Sequence, residues 1–171
     1  IALSPADTLA ALELAGRIKC RAAVVLGTGI KAAEAIEMHQ LAKRHGMYLL
    51  GPNGMGFQRP RLNLNASVIG NMAAKGPLAL VSQSGALTSS ILDWAAKNGV
   101  GFSTVISLGP NSGVGLAQAL DFLASDGETH SIVVYMEGIS NARNFMSALR
   151  AAASAKPVVV LKAGRKPAGN T

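Results

Sequence analysis

Short, continuous apolar runs alternate along the chain with longer stretches in which apolar residues recur at helical spacing. Ile1-Ala2-Leu3 reads as the end of a strand and Ser4-Pro5-Ala6-Asp7 as a helix start. Ser4 can cap, Pro5 fits the first helical position, and Asp7 favours the positive end of the helix dipole. That helix is predicted to run to about Ile18. Ala22-Ala23-Val24-Val25-Leu26 is an uninterrupted apolar run, as expected of a strand covered on both faces. After Gly27-Thr28-Gly29, a helix is predicted from about Lys31 to His45, ended by Gly46. Tyr48-Leu49-Leu50 is the next strand. This βαβαβ order implies a parallel sheet.

Residues Gly51 to Gly76 carry no clear period. Gly, Pro, Asn and Arg dominate, which predicts loop and linker with at most a short irregular strand. The alternation then resumes. Strands are predicted at Leu78–Val81, Phe102–Leu108, Ile132–Met136 and Pro157–Lys162, and helices at Ala86–Asn98, Gly115–Ser125 and Asn141–Ala155. Pro157 stands at the first residue of its strand, where no ladder bond is lost. Trp94 and Phe102 are expected in the core. The fold class is therefore α/β, with residues 1–72 forming one unit, residues 73–171 a second, doubly wound parallel unit, and the boundary between Arg61 and Lys75. Ligands of such sheets bind beyond the carboxyl ends of the strands. The loops of interest are Gly27–Gly29, Gly51–Gly56, Ser82–Gly85, Leu108–Gly113, Glu137-Gly138, and Lys162 onward.

The composition narrows the function classes. The chain has 171 residues, 49% apolar and 15% charged, which is a globular balance and long enough for one large or two small domains. No apolar run reaches membrane-spanning length, and Ile1 to Ala6 shows no basic leader or cleavage pattern. The single cysteine, Cys20, rules out a disulfide within the chain and fits a reducing cytoplasm. The net charge of +7 raises the question of nucleic acid. Lys and Arg are scattered, Arg59 with Arg61 is the nearest thing to a cluster, and no aromatic residues interleave with them, which argues against it. A phosphate-rich small ligand makes better use of such charge. The chain starts mid-strand without Met and ends in the loop Gly164 to Thr171, so a piece of a longer protein is expected.

Several turns could carry chemistry. Ser82-Gln83-Ser84-Gly85 leaves a strand and enters a helix, where outward N–H groups and two hydroxyls suit a phosphate; an ordinary helix cap with a tight-turn glycine reads equally well. The G-x-S-x-G pattern of a hydrolase elbow is absent. Gly27-Thr28-Gly29 lies where a dinucleotide fingerprint would, but Ala32 replaces the third glycine and no acidic residue follows the next strand, so a tight turn is the simpler reading. In Gly51-Pro52-Asn53-Gly54-Met55-Gly56, three glycines and the Asn53 amide favour a ligand or interface role over a plain exit turn. Glu137 ends an apolar strand and could orient a histidine or cation, or simply be solvated. His39, His45 and His130 read as solvated or helix-terminal, with no metal spacing to Cys20 or a carboxylate pair.

The ordered set Leu49-Leu50-Gly51-Pro52-Asn53, Val81-Ser82-Gln83-Ser84-Gly85-Ala86-Leu87, Gly101-Phe102-Ser103, Ser107-Leu108-Gly109, Asp126 with Thr129, Tyr135-Met136-Glu137 and Lys156 to Arg165 resembles the nucleoside-diphosphate-forming acyl-CoA synthetases, the family of the succinyl-CoA synthetase alpha subunit. The resemblance covers essentially the whole chain. It implies a Rossmann-like CoA-binding unit followed by a flavodoxin-like unit, and the reaction acyl-CoA + NDP + phosphate ⇌ acid + CoA + NTP by way of a phosphohistidine. ADP is the expected nucleotide, held with Mg²⁺ by an ATP-grasp partner domain or subunit. A small carboxylic acid and phosphate are the other expected partners, and an oligomer is expected. By the same resemblance, Ser82, Ser84 and Gly85 hold phosphate, Glu137 hydrogen-bonds the catalytic histidine, Gly27, Thr28, Gly29 and Ile30 border CoA, and Asn53 lies where the two domains meet.

The sequence departs from the family at three places. The first glycine-rich CoA loop would precede Ile1. The phosphorylated histidine would follow Thr171, and none of the three histidines present replaces it by position. Pro110-Asn111-Ser112-Gly113 stands where the family carries an Asn or Asp and then an Asp. A non-catalytic CoA- or acyl-CoA-sensing region of a protein lysine acetyltransferase therefore stays open beside the ligase. So, on composition alone, does a plain α/β phosphate-binding module.

Overall fold

The structure is a computed structural model and describes residues 1–110 and 112–164. Strands β1 (Ala22–Val24) and β2 (Tyr48–Leu50) pair in parallel around the crossover helix α2 (Ala32–Arg44), and α1 (Pro5–Arg17) lies against α2. Ser4 caps α1 as the sequence implies, its hydroxyl accepting from the Asp7 N–H at 3.3 Å. Leu12, Val25, Met38 and Leu49 are buried where the two helices meet one face of this small sheet. Ile1 to Leu3 forms no regular strand, yet it lies beside β1: the Ile1 backbone nitrogen donates to the Val24 carbonyl at 2.7 Å, and the Leu26 N–H to the Ile1 carbonyl at 2.9 Å.

The larger sheet has six strands in the order β4 (Leu64–Ser67), β3 (Gly56–Arg59), β6 (Phe102–Ser107), β5 (Lys75–Ser82), β7 (Ser131–Met136), β8 (Val158–Lys162). Strands β5 to β8 are parallel, as expected from their alternation with α3 (Gly85–Lys97), α4 (Leu116–Ser125) and α5 (Ala142–Ala155). The side chains of Ala79, Val81, Ile132 and Val134 form one core with Leu120 and Phe145, so α4 and α5 cover that face. Leu80 and Val105 pack on the other face against Leu92 and Ala95 of α3. Among the described residues no helix is long and apolar enough to cross a membrane.

Two expectations change. The stretch predicted as mostly loop contains the regular hairpin β3–β4, antiparallel to itself and to β6. A 3-10 turn at Pro60–Leu62 and Asn63 at φ 52° reverse the chain. The hairpin escapes periodicity because its buried positions are Gly56 and Gln58, not apolar side chains. Gln58 is fully buried and satisfied, donating to the Asn71 carbonyl and accepting from the Ala73 N–H, both at 2.9 Å. The hairpin extends the larger sheet back to Gly56. Trp94 is not core: it is 59% exposed, while Phe102 is buried. Helix α3 buries Thr88, Leu92 and Ala95, and Trp94 lies two residues from Leu92, on the opposite side of the helix.

Candidate functional site

Strand β5 ends at Ser82, whose side chain is wholly buried. Its hydroxyl donates to the Ser84 carbonyl at 2.9 Å and accepts from the Ser84 N–H at 3.0 Å. Ser82 therefore closes the turn and has no proton left for a ligand. Ser84 is the cap of α3: its Oγ accepts from the Leu87 N–H at 3.3 Å, and its carbonyl accepts from the Thr88 N–H at 3.0 Å. The first-turn N–H groups of Gly85 and Ala86 are left without a partner among the described residues, at the positive end of the helix. Gly85 is tightly placed. A Cβ there would come within 2.9 Å of the Met55 side chain.

Gln83, between the two serines, was not among the expected site residues. Its Oε1 accepts from the Glu137 N–H at 2.7 Å and the Gly138 N–H at 3.1 Å, and its Nε2 donates to the Gly138 carbonyl at 3.0 Å. The turn after β7 is thereby bound to the turn after β5. Glu137 itself is exposed. Gln83 and Glu137 both line a cavity of about 780 Å³ at the carboxyl ends of the strands, whose other walls come from Leu108–Pro110, Ser112–Gly115 and the starts of α4 and α5.

The Asn53 amide makes the corresponding link in the first unit. It accepts from the Ile30 N–H at 3.0 Å and donates to the Ile30 carbonyl at 2.8 Å, and the Asn53 N–H donates to the Gly27 carbonyl at 3.0 Å. The predicted loops Gly27–Ile30 and Gly51–Gly56 are one hydrogen-bonded unit, with Thr28 and Gly29 exposed on it and Ile30 buried beneath. This unit touches the larger sheet. Gly109, at φ 71°, has no Cβ because one would stand 2.5 Å from the Asn53 carbonyl oxygen. Ser112 and Gly113 add hydrogen bonds to Gly51, the Ser112 hydroxyl accepting from the Gly51 N–H at 3.1 Å. Asn53 therefore lies where the two sheets' loops meet. The structure joins Gly27, Ile30 and Asn53, and separately Gln83 and Glu137; neither Thr28 nor Ser84 lines the cavity that Glu137 borders. Within the departing stretch Pro110 to Gly113, Asn111 lies outside the described residues, as does the predicted loop from Arg165 onward.

Of the histidines, His39 lies against this junction, its ring 3.3 Å from where a Cβ on Gly113 would stand, while His45 and His130 take no part in the contacts just described. His45 ends α2, with Nε2 3.3 Å from Glu13 Oε2. The hydrogen bond from His45, followed by that from Arg17, lowers the Glu13 carboxyl below its ordinary pKa. His130 is exposed. His39 is half-buried, and its buried Nε2 has no partner among the described residues, so it is not solvated as expected. No group of three His, Cys, Asp or Glu among the described residues could hold a metal ion.

Known proteins share this arrangement of chain. The chain is 39% identical over 165 residues to the acetate–CoA ligase [ADP-forming] I of Archaeoglobus fulgidus, covering 93% of this chain and 24% of that protein. It is 37% identical over 133 residues to the alpha subunit of acetate–CoA ligase [ADP-forming] I of Pyrococcus furiosus, covering 78% of this chain and 29% of that subunit. Thus it spans only about a quarter of the length of these relatives. A solved structure of the dinucleotide forming acetyl-coenzyme A synthetase 1 of Ca. Korarchaeum cryptofilum, in complex with phosphate and ADP, superposes with a TM-score of 0.90 at 29% identity, over 97% of this chain and 37% of that one. Residues 75–171 match the model of the succinyl-CoA ligase like flavodoxin domain. That match takes in more than half of the sequence, and the chain belongs to this family.

Proposed function

We propose that this chain forms the CoA-handling and phosphoryl-handling part of an ADP-forming acyl-CoA synthetase, an acid–thiol ligase that interconverts acyl-CoA, ADP and phosphate with acid, CoA and ATP. The observation that carries this reading is the juxtaposition of two turns at the carboxyl edge of the larger sheet. One offers the open N–H groups of Gly85 and Ala86 at a helix start, and the other offers the Glu137 carboxylate. A phosphoryl dianion is bound by the first through hydrogen bonds and the dipole, and a histidine that carries it is oriented through its other ring nitrogen by the second. Ser84 holds the helix start in shape, and Ser82 holds Ser84. Gly27, Thr28, Gly29 and Ile30 border CoA, and the exposure of Thr28 and Gly29 on a loop pinned by Asn53 suits a ligand that runs along backbone. CoA supplies the thiol that accepts the acyl group. The nucleotide and its Mg²⁺ fall to an ATP-grasp partner, and the histidine lies beyond Thr171. A cytoplasmic, oligomeric enzyme belongs to the same reading.

The test is Glu137→Gln in the intact ligase. Glu137 is exposed, so folding and thermal stability should be unchanged. Formation of acid-labile phosphohistidine, followed by quenched-flow labelling with radioactive phosphate and acyl-CoA, should slow by roughly a hundred- to ten-thousandfold, the range of a lost positioned acid–base carboxylate. An unchanged rate removes Glu137 from the reaction.

A further inference from the structure

We infer that Gln83 is a positioning residue for this reaction: its side-chain amide sets the Glu137-Gly138 turn relative to the start of α3. The inference rests on the ligase reading and adds a residue to it. The observation is a three-point contact. One carboxamide accepts from two successive N–H groups, Glu137 at 2.7 Å and Gly138 at 3.1 Å, and donates to the Gly138 carbonyl at 3.0 Å. A further backbone bond, from the Gln83 N–H to the Tyr135 carbonyl at 3.1 Å, continues the β5–β7 ladder up to this point. Glu137 and Gly138 are exposed, and besides Gln83 the hydrogen bond made to this pair among the described residues comes from the Lys162 Nζ, which donates to the Glu137 carbonyl at 3.2 Å. Gln83 lies between Ser82 and Ser84, the residues that shape the α3 start. It therefore connects the group that binds the phosphoryl anion to the group that orients its carrier. Glutamine alone among the uncharged side chains of this length offers both an acceptor and a donor here. An alkyl side chain of equal length would leave the turn free to move by an ångström or so, a displacement that can cost on the order of a hundredfold in rate.

Two variants of the intact ligase test this. Gln83→Met keeps the length and removes all three bonds. Gln83→Glu keeps the acceptor for both N–H groups and replaces the donated bond by a carboxylate oxygen facing the Gly138 carbonyl. For Gln83→Met, kcat is expected to fall by roughly ten- to a hundredfold with KM for CoA and the thermal midpoint little changed. Gln83→Glu, which keeps two of the three bonds, should recover part of that loss. Amide hydrogen exchange should quicken at Glu137 and Gly138 in Gln83→Met while Leu87 and Thr88, bonded to Ser84, stay protected. A Gln83→Met enzyme with the parent's kcat would overturn the inference, as would a parallel loss of stability that accounts for the rate. If the parent itself makes no ATP from acyl-CoA, ADP and phosphate, the ligase reading falls instead. The exchange at Glu137 and Gly138 then still decides whether Gln83 sets the turn.

Discussion

Asn53 combines a backbone conformation with two side-chain bonds. Its φ of 61° is left-handed, a region that asparagine tolerates better than most residues with a Cβ. Its amide spans both polar groups of the Ile30 backbone. Asn53→Gly keeps the backbone freedom and loses the bonds; Asn53→Ala loses both. Stability should fall by about 1–3 kcal/mol in Asn53→Ala, the usual cost of leaving such groups unpaired, and by less in Asn53→Gly. If the Gly27–Ile30 loop borders CoA, both variants should weaken CoA binding several-fold in titration calorimetry of the intact ligase. CoA affinity equal to the parent's would detach this loop from the CoA site. Asn53 could be picked out from the sequence because it sits in a cluster of glycines. Gln83 could not, since a glutamine between two serines carries no periodic or compositional signal, and its role depends on a turn more than fifty residues further on.

At the level of elements, a polar chain fastens the β3–β4 hairpin to the far end of α4. The Ser103 and Thr129 hydroxyls lie 2.8 Å apart, Thr129 donates to Asp126 at 2.7 Å, and Arg59 donates to the other Asp126 oxygen at 3.1 Å while lying over the Phe122 ring. Burial raises the Asp126 pKa, but the Thr129 hydrogen bond and the Arg59 charge outweigh it and hold the carboxyl below its ordinary 3.8. A carboxyl with a depressed folded pKa contributes stability above the unfolded value, and loses it as pH falls through the folded one. Asp126→Asn should therefore cost about 1–3 kcal/mol in urea unfolding at pH 7. The gap to the parent should shrink as the buffer is taken below the ordinary aspartate range. A gap independent of pH would mean that shape, not charge, is what Asn fails to supply. Asp126 and Thr129 belong to the motifs that carry the family resemblance, yet Arg59 as their partner was hidden, because it sits on a strand that reads as loop.

For the whole molecule, the parallel strands and their helices were legible because each carries an apolar run or a helical repeat. The β3–β4 hairpin was not, because it buries Gly56 and Gln58 and turns through Pro60 and Asn63. Its consequence can be tested directly. Strand β6 lies between β3 and β5, and all six of its residues are buried. Without β3, whose Gly56, Phe57 and Gln58 pair with Ser107, Ile106 and Val105, β6 becomes an edge with unpaired backbone. Gln58 would also release Asn71 and Ala73. Two fragments isolate this effect, residues 54–171 and residues 75–171, since both carry β5 to β8 and differ only in the hairpin and its linker. The longer should remain monomeric in analytical ultracentrifugation and melt at a higher temperature. The shorter should associate as its concentration rises and bind a hydrophobic dye. If the shorter fragment is as stable and as monomeric as the longer, the hairpin contributes nothing to the second unit, and the division belongs between residues 72 and 73, as read from the sequence.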